Sequence, residues 1–562
     1  MDKTSYWDRF RRQRITRRRM LAATGVGAAG LLIAAACDDD EGGDGEPSDG
    51  TSVPSGTPQP GGRYKWSTSV ISDATFGLDP HLAIAAGLEY FARTYNVLIN
   101  RSAVDDTTIV YDLAESYEVI SEDETSPQTY NFTIRPGVKI PPNNLDVPER
   151  DMDAEDAVAT FERIKAQPLA NACQFVCQYF ASHAATSPSL YTVTTTKPYA
   201  WFEFNIGRAI STIPPREFLE SAKLTSASVG GGPYSIADGA FVDGERVALE
   251  KNPVYWDTGK PYMDGYDVII IPDRPGLRAS FISEQSYQYG AASEAEVAEL
   301  IGDHDVYKAS DEPSYTFIGF AMNVLRPPWD DPRIRKAAMH AINRQDYIDR
   351  VYGGAAQANG IVHWPVTGAL DPAELEELQG YNPQMSKDLI REVTGQDSID
   401  ITVMFPTSPI QEHELHLPIF IDQMTQAGFN VNQVPLDLGG WLTAYRAKDY
   451  DASLSLNQIY ETAEIPLDFQ HSKGPAGSEI YAGGLQDPEI DAAIDATKSI
   501  TNFDERVEAV KAVQRQIYEA GPAFLPFVSP LSRTIYWNYV KDVPIGLGST
   551  GLFLVKNVWL DL

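Results

Sequence analysis

The sequence predicts a mixed α/β or α+β protein of at least two domains, on three observations. Strand-like and helix-like runs follow one another without a fixed period, which sets aside solenoids and other repeat architectures. More than 500 residues remain beyond position 37, more than one hydrophobic core usually organises. Hydrophobic residues make up 43% of the chain and charged residues 22%, the balance of a folded soluble protein rather than a disordered one.

The chain opens on an export signal. Lys3, Arg9, Arg11, Arg12, Arg14 and Arg17–Arg19 form a positive segment, followed by an apolar run from Met20 to Ala36 that is rich in Ala and Gly. That run is short for a membrane span and ends in small residues before Cys37. The arginines before Met20-Leu21 resemble a twin-arginine signal, and Ala34-Ala35-Ala36-Cys37 resembles a bacterial lipobox. Residues 1–36 are therefore expected to be a lipoprotein signal peptide and Cys37 the lipidated N-terminus. The alternative is an uncleaved membrane anchor; either way the remainder works outside the cytoplasm. Residues 37–62 are mostly Asp, Glu, Gly, Ser, Pro and Thr and read as a flexible tether. Order should begin near Arg63-Tyr64-Lys65-Trp66. Beyond the leader no apolar run is long enough to span a bilayer.

The formal charge is −33, and the first nineteen residues contribute a net +6, so the remainder carries −39. Such a charge argues against nucleic acid and against an anionic lipid surface as partners. Besides Cys37 there are only Cys173 and Cys177. A disulfide in an oxidising compartment and two buried thiols both fit this pair, although an i,i+4 spacing on a regular helix is awkward to bridge.

Several elements are legible in order. Tyr130–Ile134 alternates as a strand and stops at the turn Arg135-Pro136-Gly137. Asp153 caps a helix whose Ala154, Ala157, Val158, Phe161 and Ile164 share one stripe. Val268–Ile271 reads as a buried strand. Asp331-Pro332 starts a helix carrying Ile334, Ala337, Ala338, Ala341 and Ile342. A helix over Pro418–Ala427 should end at Gly428 and lead into a strand over Phe429–Leu436. Asp487 and Asp504 should start two further amphipathic helices.

No catalytic motif emerges. The chain has no nucleophile elbow, no His-Glu-x-x-His and no phosphate-binding glycine loop. His413-Glu414-Leu415-His416 places two imidazoles at i,i+3, lacks zinc-protease spacing and reads as a solvated, acidic helix start. Pairs such as Asp330-Asp331 are explained as helix caps. No metal site and no cofactor is expected.

Blocks along the chain then carry a resemblance. They are Leu78-Asp79-Pro80-His81, Asp112–Val119, Tyr130–Lys139, Asp153–Val158, Gly232-Pro233-Tyr234, Asn252–Trp256 with Lys260–Asp264, Asp331–Ala337 with Ala341–Arg344, and Asp449-Tyr450-Asp451-Ala452. In this order they resemble the family 5 solute-binding proteins of ABC importers, which include dipeptide-, oligopeptide- and nickel-binding members. The resemblance covers nearly the whole chain after the tether. It implies an α/β, two-lobed periplasmic-binding-protein-like fold of class II type with an extra subdomain and a ligand cleft between the lobes. The first lobe is expected over 63–315 with a return over 530–562, and the second over 316–529, with crossing segments near Thr316–Asn323 and Phe527–Thr534. The implied function is capture of a small polar solute, peptide or oligosaccharide-like, by a monomer that delivers it to ABC permease subunits without chemistry.

The ligand region departs from the peptide-binding pattern. In peptide binders the Asp-Tyr-Asp-Ala block is followed by a Trp and, three residues on, by an Asp that pairs with the peptide ammonium. Asn457 stands at the Trp position and Tyr460 at the Asp position, with Glu461 one place beyond. An ammonium buried there unpaired would cost several kcal/mol. Asn457, Gln458 and Tyr460 suit neutral hydroxyl- or amide-rich ligands, and Glu461 could still supply a carboxylate. Asn323, Trp364 and Trp441 complete the expected ligand contacts. The competing classes are an exported lipoprotein hydrolase and a ligand-sensing protein that serves no permease. The first would need a Ser/His/Asp cluster or two facing carboxylates, and no such spacing occurs.

Overall fold

Five strands set the geometry of the functional region: β1 (Thr316–Met322), β2 (Ile399–Pro406), β3 (Phe429–Leu436), β4 (Ala452–Gln458) and β5 (Phe524–Pro526). The computed structural model describes residues 56–69, 77–82, 88–101, 109–123, 125–167, 176–309, 316–364, 366–407, 413–458, 462–474, 484–543 and 555–562. All of these lie in one unit, Gly50–Leu562. The five strands form one sheet in the order β3-β2-β4-β1-β5. β2 runs parallel to both β3 and β4, and β1 runs antiparallel to β4 and β5. The carboxyl ends of β2, β3, β4 and β5 therefore share one edge with the amino end of β1.

Local sequence explains why these strands are buried. Ile401, Val403, Met404 and Phe405 of β2 are all buried, as are Phe317, Ile318 and Phe320 of β1. Burial on both faces is what parallel strands flanked by helices require. One covering helix, Pro332–Ala341, starts as expected: Asp331 accepts from the Arg333 N–H at 2.8 Å and Pro332 occupies the first turn. Trp329 packs its ring on Phe320 at 5.6 Å and on Phe429 at 6.0 Å, joining helix-side residues to two strands.

The remaining strands form separate sheets. Arg63–Thr68 pairs in parallel with Gly265–Ile270, which pairs with Arg246–Lys251. Gln288–Gly290, Thr534–Trp537 and Val306–Lys308 form a three-stranded antiparallel sheet. Ala114–Ile120, Thr129–Ile134, Leu190–Thr195 and Phe180–Ser187 form a four-stranded antiparallel sheet covered by the helix Ala154–Ala166. The chain passes twice between the smaller sheets and the main sheet. One passage runs from Val306–Lys308 to β1. The other runs from Val528–Pro530, which pairs with Ala356–Ala358, to Thr534–Trp537. Two hydrophobic cores result. The larger joins residues between Leu98 and Val229 to residues between Phe317 and Val528. The smaller gathers Tyr64–Tyr95, Tyr234–Val306 and Ile535–Leu560.

Most expected elements are in place, with three corrections. The helix expected from Pro418 begins at His413 and carries Pro418 inside it. His416, on those added turns, is fully buried and its Nε2 lies 3.1 Å from the Tyr352 hydroxyl. Tertiary burial of His416 thus outweighs the loss of one backbone donor, while its neighbour Leu415 stays exposed. Second, the last long helix is Phe503–Ala520, capped by Asn502 rather than by Asp504. Asn502 accepts from the Glu505 N–H at 3.2 Å, while Asp504 lies in the first turn, where a carboxylate favours the helix dipole. Third, the strand read over Val268–Ile271 runs Gly265–Ile270. Cys177 is disulfide-bonded and sits in a short 3-10 turn, so the constraint of a regular helix does not apply to it. Cys173 lies outside the described residues, as do Cys37 and the whole leader.

Candidate functional site

Strand order marks the site. The chain leaves β2 for β3 on one side through the helix His413–Gln426. From β3 it crosses through the helix Leu438–Arg446 to β4 on the other side of β2. The order thus reverses between β2 and β4, and the crevice outside the carboxyl ends at such a reversal is where open α/β sheets receive ligands. Asn457 and Gln458 are the last two residues of β4 and stand at that edge, in register with Phe317 and Thr316 of β1. Tyr460 and Glu461 lie outside the described residues.

Three other expected contacts are placed differently. Trp364 is half-buried and follows His363, whose ring packs 4.1 Å from that of Phe317, so it reaches the same end of β1 as Asn457. Burial pushes the His363 imidazole down to about 3, which keeps it neutral. Trp441 instead lies buried against the sheet: its Nε1–H donates to Ser453 Oγ at 3.0 Å, and its ring stacks on Tyr445 at 4.8 Å, which stacks on Tyr450 at 5.1 Å. Asn323 follows β1 at the opposite end of the strand, about 20 Å from Thr316 at strand rise. Its amide donates to the carbonyls of Tyr450 at 2.8 Å and Lys448 at 3.2 Å, and its Oδ1 accepts from the Leu325 N–H at 3.1 Å. Both side chains are taken up by the protein itself.

A recess of about 290 Å³ lies at the carboxyl end of Arg63–Thr68, lined by Ser67, Thr68, Ser69, Arg274, Gln288 and Thr534 among others. Thr534 opens the strand that follows the second chain passage. Trp66, Pro272, Leu277 and Tyr289 line it as well, so its wall mixes apolar surface with hydroxyl, amide and guanidinium groups.

One buried cluster had no sequence signal. Glu464, 1% exposed, accepts from the Tyr199 hydroxyl at 2.7 and 2.8 Å and from Asn205 Nδ2 at 2.9 Å. These partners lie 265 and 259 residues away in sequence. Next to it, Lys498 Nζ pairs with Asp468 at 2.8 Å and Asp495 at 3.0 Å, the Lys498 carbonyl accepts from the Ala200 N–H at 2.8 Å, and Arg506 lies over the Trp201 ring. Burial and the Asp468 charge push the Glu464 carboxyl up to about 7 against the pull of Lys498. The cluster joins the region of the four-stranded sheet to the segment that follows the β4 edge.

Among the described residues no group of three or more His, Cys, Asp or Glu side chains could hold a metal ion. No helix among them is long and apolar enough to cross a membrane. Residues 108–474 match the bacterial extracellular solute-binding proteins, family 5 (Middle). The chain belongs to this family, whose members are the binding components of ABC importers and not enzymes.

Among curated relatives, the probable ABC transporter periplasmic-binding protein SapA of Escherichia coli is 25% identical over 481 residues, covering 79% of this chain and 84% of its own. The Escherichia coli dipeptide-binding protein is 24% identical over 503 residues, covering 84% and 91%. Two solved structures share the fold. The periplasmic binding protein DppA from Helicobacter pylori, in complex with the peptide STSA, has a TM-score of 0.76 at 18% identity, covering 90% of this chain and 99% of its own. The binding protein AgaA from A. tumefacien R10, in complex with agropinic acid, has a TM-score of 0.73 at 17% identity, covering 89% and 99%.

Proposed function

We propose that this protein is anchored outside the cytoplasm by lipid on Cys37, captures a small polar solute as a monomer, and delivers it unchanged to an ABC permease. Residues 63–315 with 530–562 form one lobe and 316–529 the other, and the two close on the ligand through the passages before β1 and after Val528–Pro530. The observation that carries this reading is the strand-order reversal between β2 and β4, with Asn457 and Gln458 at its edge. The recess lined by Ser67, Thr68, Ser69, Gln288 and Thr534 together with Trp66, Leu277 and Tyr289 is a second concave surface, of mixed character, that could meet the solute.

The ligand class follows from the same residues. Asn457, Gln458 and Tyr460 favour hydroxyl- and amide-rich solutes, oligosaccharide-like or blocked peptides, over free peptides. The nearest described carboxylate downstream, Glu464, is already occupied by Tyr199 and Asn205. Related proteins that carry peptides in their names make peptides the reference ligands for the comparison. Differential scanning fluorimetry against matched sets of peptides and neutral oligosaccharides should raise the melting temperature with the neutral set. A saturable rise with unblocked peptides alone would overturn the assignment of ligand class. No saturable rise with either set would overturn the proposed capture of these solutes.

A further inference from the structure

A second feature of the fold lies on the helix Arg344–Arg350, in the region of the main sheet. Arg344 opens the helix Arg344–Arg350 and is buried. Its Nη1 donates to the Gln379 carbonyl at 3.1 Å, but its Nε and Nη2 atoms, both inaccessible, meet no partner among the described residues. Those two N–H groups form one edge of the guanidinium, the fork that grips an anion with two parallel hydrogen bonds. Glu376, an acid whose field reaches Arg344, is exposed on its helix and makes no ion pair with it. Burial lowers the guanidinium only to about 10, so it is charged at neutral pH.

Further unpartnered polar atoms sit on the elements packed around that fork. Tyr347 is three residues on, on the same face of the helix, and its hydroxyl is buried without a partner. The helix packs against the strands Ala356–Ala358 and Val528–Pro530. Gln357 and Asn359 alternate onto the buried side there, with exposed Ala358 between them. Gln357 Nε2 has no partner, and Asn359 has one unpartnered amide atom while its other bonds Ser529 Oγ at 2.6 Å. Turning that amide so that Ser529 donates leaves Asn359 a free N–H as well. Gln379 links the two groups, since its Nε2 donates to the Asn359 carbonyl at 2.7 Å while its own carbonyl accepts from Arg344. A buried cation and two unpartnered donors, on Tyr347 and Gln357, thus lie on elements that pack together.

We propose that the Nε–H and Nη2–H fork of Arg344, with the Tyr347 hydroxyl and the Gln357 amide, holds one small monovalent inorganic anion of the chloride class. The anion neutralises a buried charge and ties the helix to the strand pair from which the chain passes on to Thr534. It is a structural site, built from residues other than those of the solute edge at Asn457.

Protein freed of halide in sodium gluconate and titrated with sodium bromide at constant ionic strength should gain thermal stability along a saturable curve. Bromide anomalous scattering from crystals should peak within hydrogen-bond reach of the Arg344 fork. Tyr347→Phe and Gln357→Leu each remove one donor without stranding a charge, and each should raise the half-saturating bromide concentration about tenfold. Sulfate, larger and doubly charged, should not substitute. A stability indifferent to halide, water alone at the fork, or unchanged half-saturation in both variants would overturn the site.

Discussion

Glu464→Gln is the perturbation that reads most from one side chain. In the folded protein the carboxyl is buried between Tyr199, Asn205 and the Asp468–Lys498 pair, and its midpoint rises from 4.5 to about 7. Ionised Glu464 is therefore about 3 kcal/mol worse placed in the fold than neutral Glu464. Below pH 4.5 the side chain is protonated whether the chain is folded or unfolded, and no penalty arises. Between 4.5 and 7 only the unfolded chain gives up the proton, so this group's contribution to stability falls as pH rises. Above about 7 the full penalty is present. Glutamine keeps the shape and one acceptor for the Tyr199 hydroxyl, but turns a donor towards Asn205, at a cost of about 1 kcal/mol. Urea denaturation of both proteins across pH 4 to 8 checks the sign. The variant should be about 1 kcal/mol less stable at pH 4 and about 2 kcal/mol more stable at pH 8, since the 3 kcal/mol penalty applies only to the wild type. A stability difference that does not change with pH, or that changes in the opposite sense, would refute the burial argument.

Three further outcomes follow from other sites. Asn323→Ala removes an amide that makes three bonds to backbone at the far end of β1, and should cost about 2–4 kcal/mol in urea denaturation while calorimetric ligand affinity stays unchanged. Asp156→Ala removes one of the two carboxylates on Arg150, which keeps Glu217 at 2.6 Å, and takes away the buried acceptor for the Asp153 and Arg216 backbone N–H groups. Its loss should lower stability by about 2–4 kcal/mol at pH 7, the cost of the backbone donors left unsatisfied. Mass spectrometry of the native N-terminus should find diacylglyceryl on Cys37, and an intact leader or a free thiol there would end the lipid-anchor proposal.

Local signals carried well from sequence to structure because they act over a few residues. Asp153, Asp331 and Asp487 were legible as helix caps since each needs only a backbone N–H two or three positions on. Asn502 and Asp504 are both good caps two residues apart, and only the backbone of the folded chain selects between them. Pro418 looked like a helix start because a missing donor is costless there, whereas burial of His416 extends the helix past it. The strand order was not legible, nor was the Glu464 cluster, whose partners lie more than 250 residues upstream. Trp441 and Asn323 read as ligand contacts by residue type, yet Ser453 and the Tyr450 carbonyl claim their polar atoms. Blocks such as Asp331–Ala337 identify the family because they are caps and packing positions, and for that reason they say little about the ligand.

Isothermal calorimetry of the mature protein with one tripeptide, its N-acetylated amide and a neutral oligosaccharide of similar size tests the central claim of ligand class most directly. A missing ammonium–carboxylate pair in a closed cleft is worth about 3–5 kcal/mol, two to three decades or more in affinity. The account predicts that the unblocked peptide binds at least a hundredfold more weakly than the better of the two neutral ligands. Micromolar or tighter binding of the unblocked peptide, abolished by Glu461→Gln, would contradict it and assign the ammonium to that carboxylate.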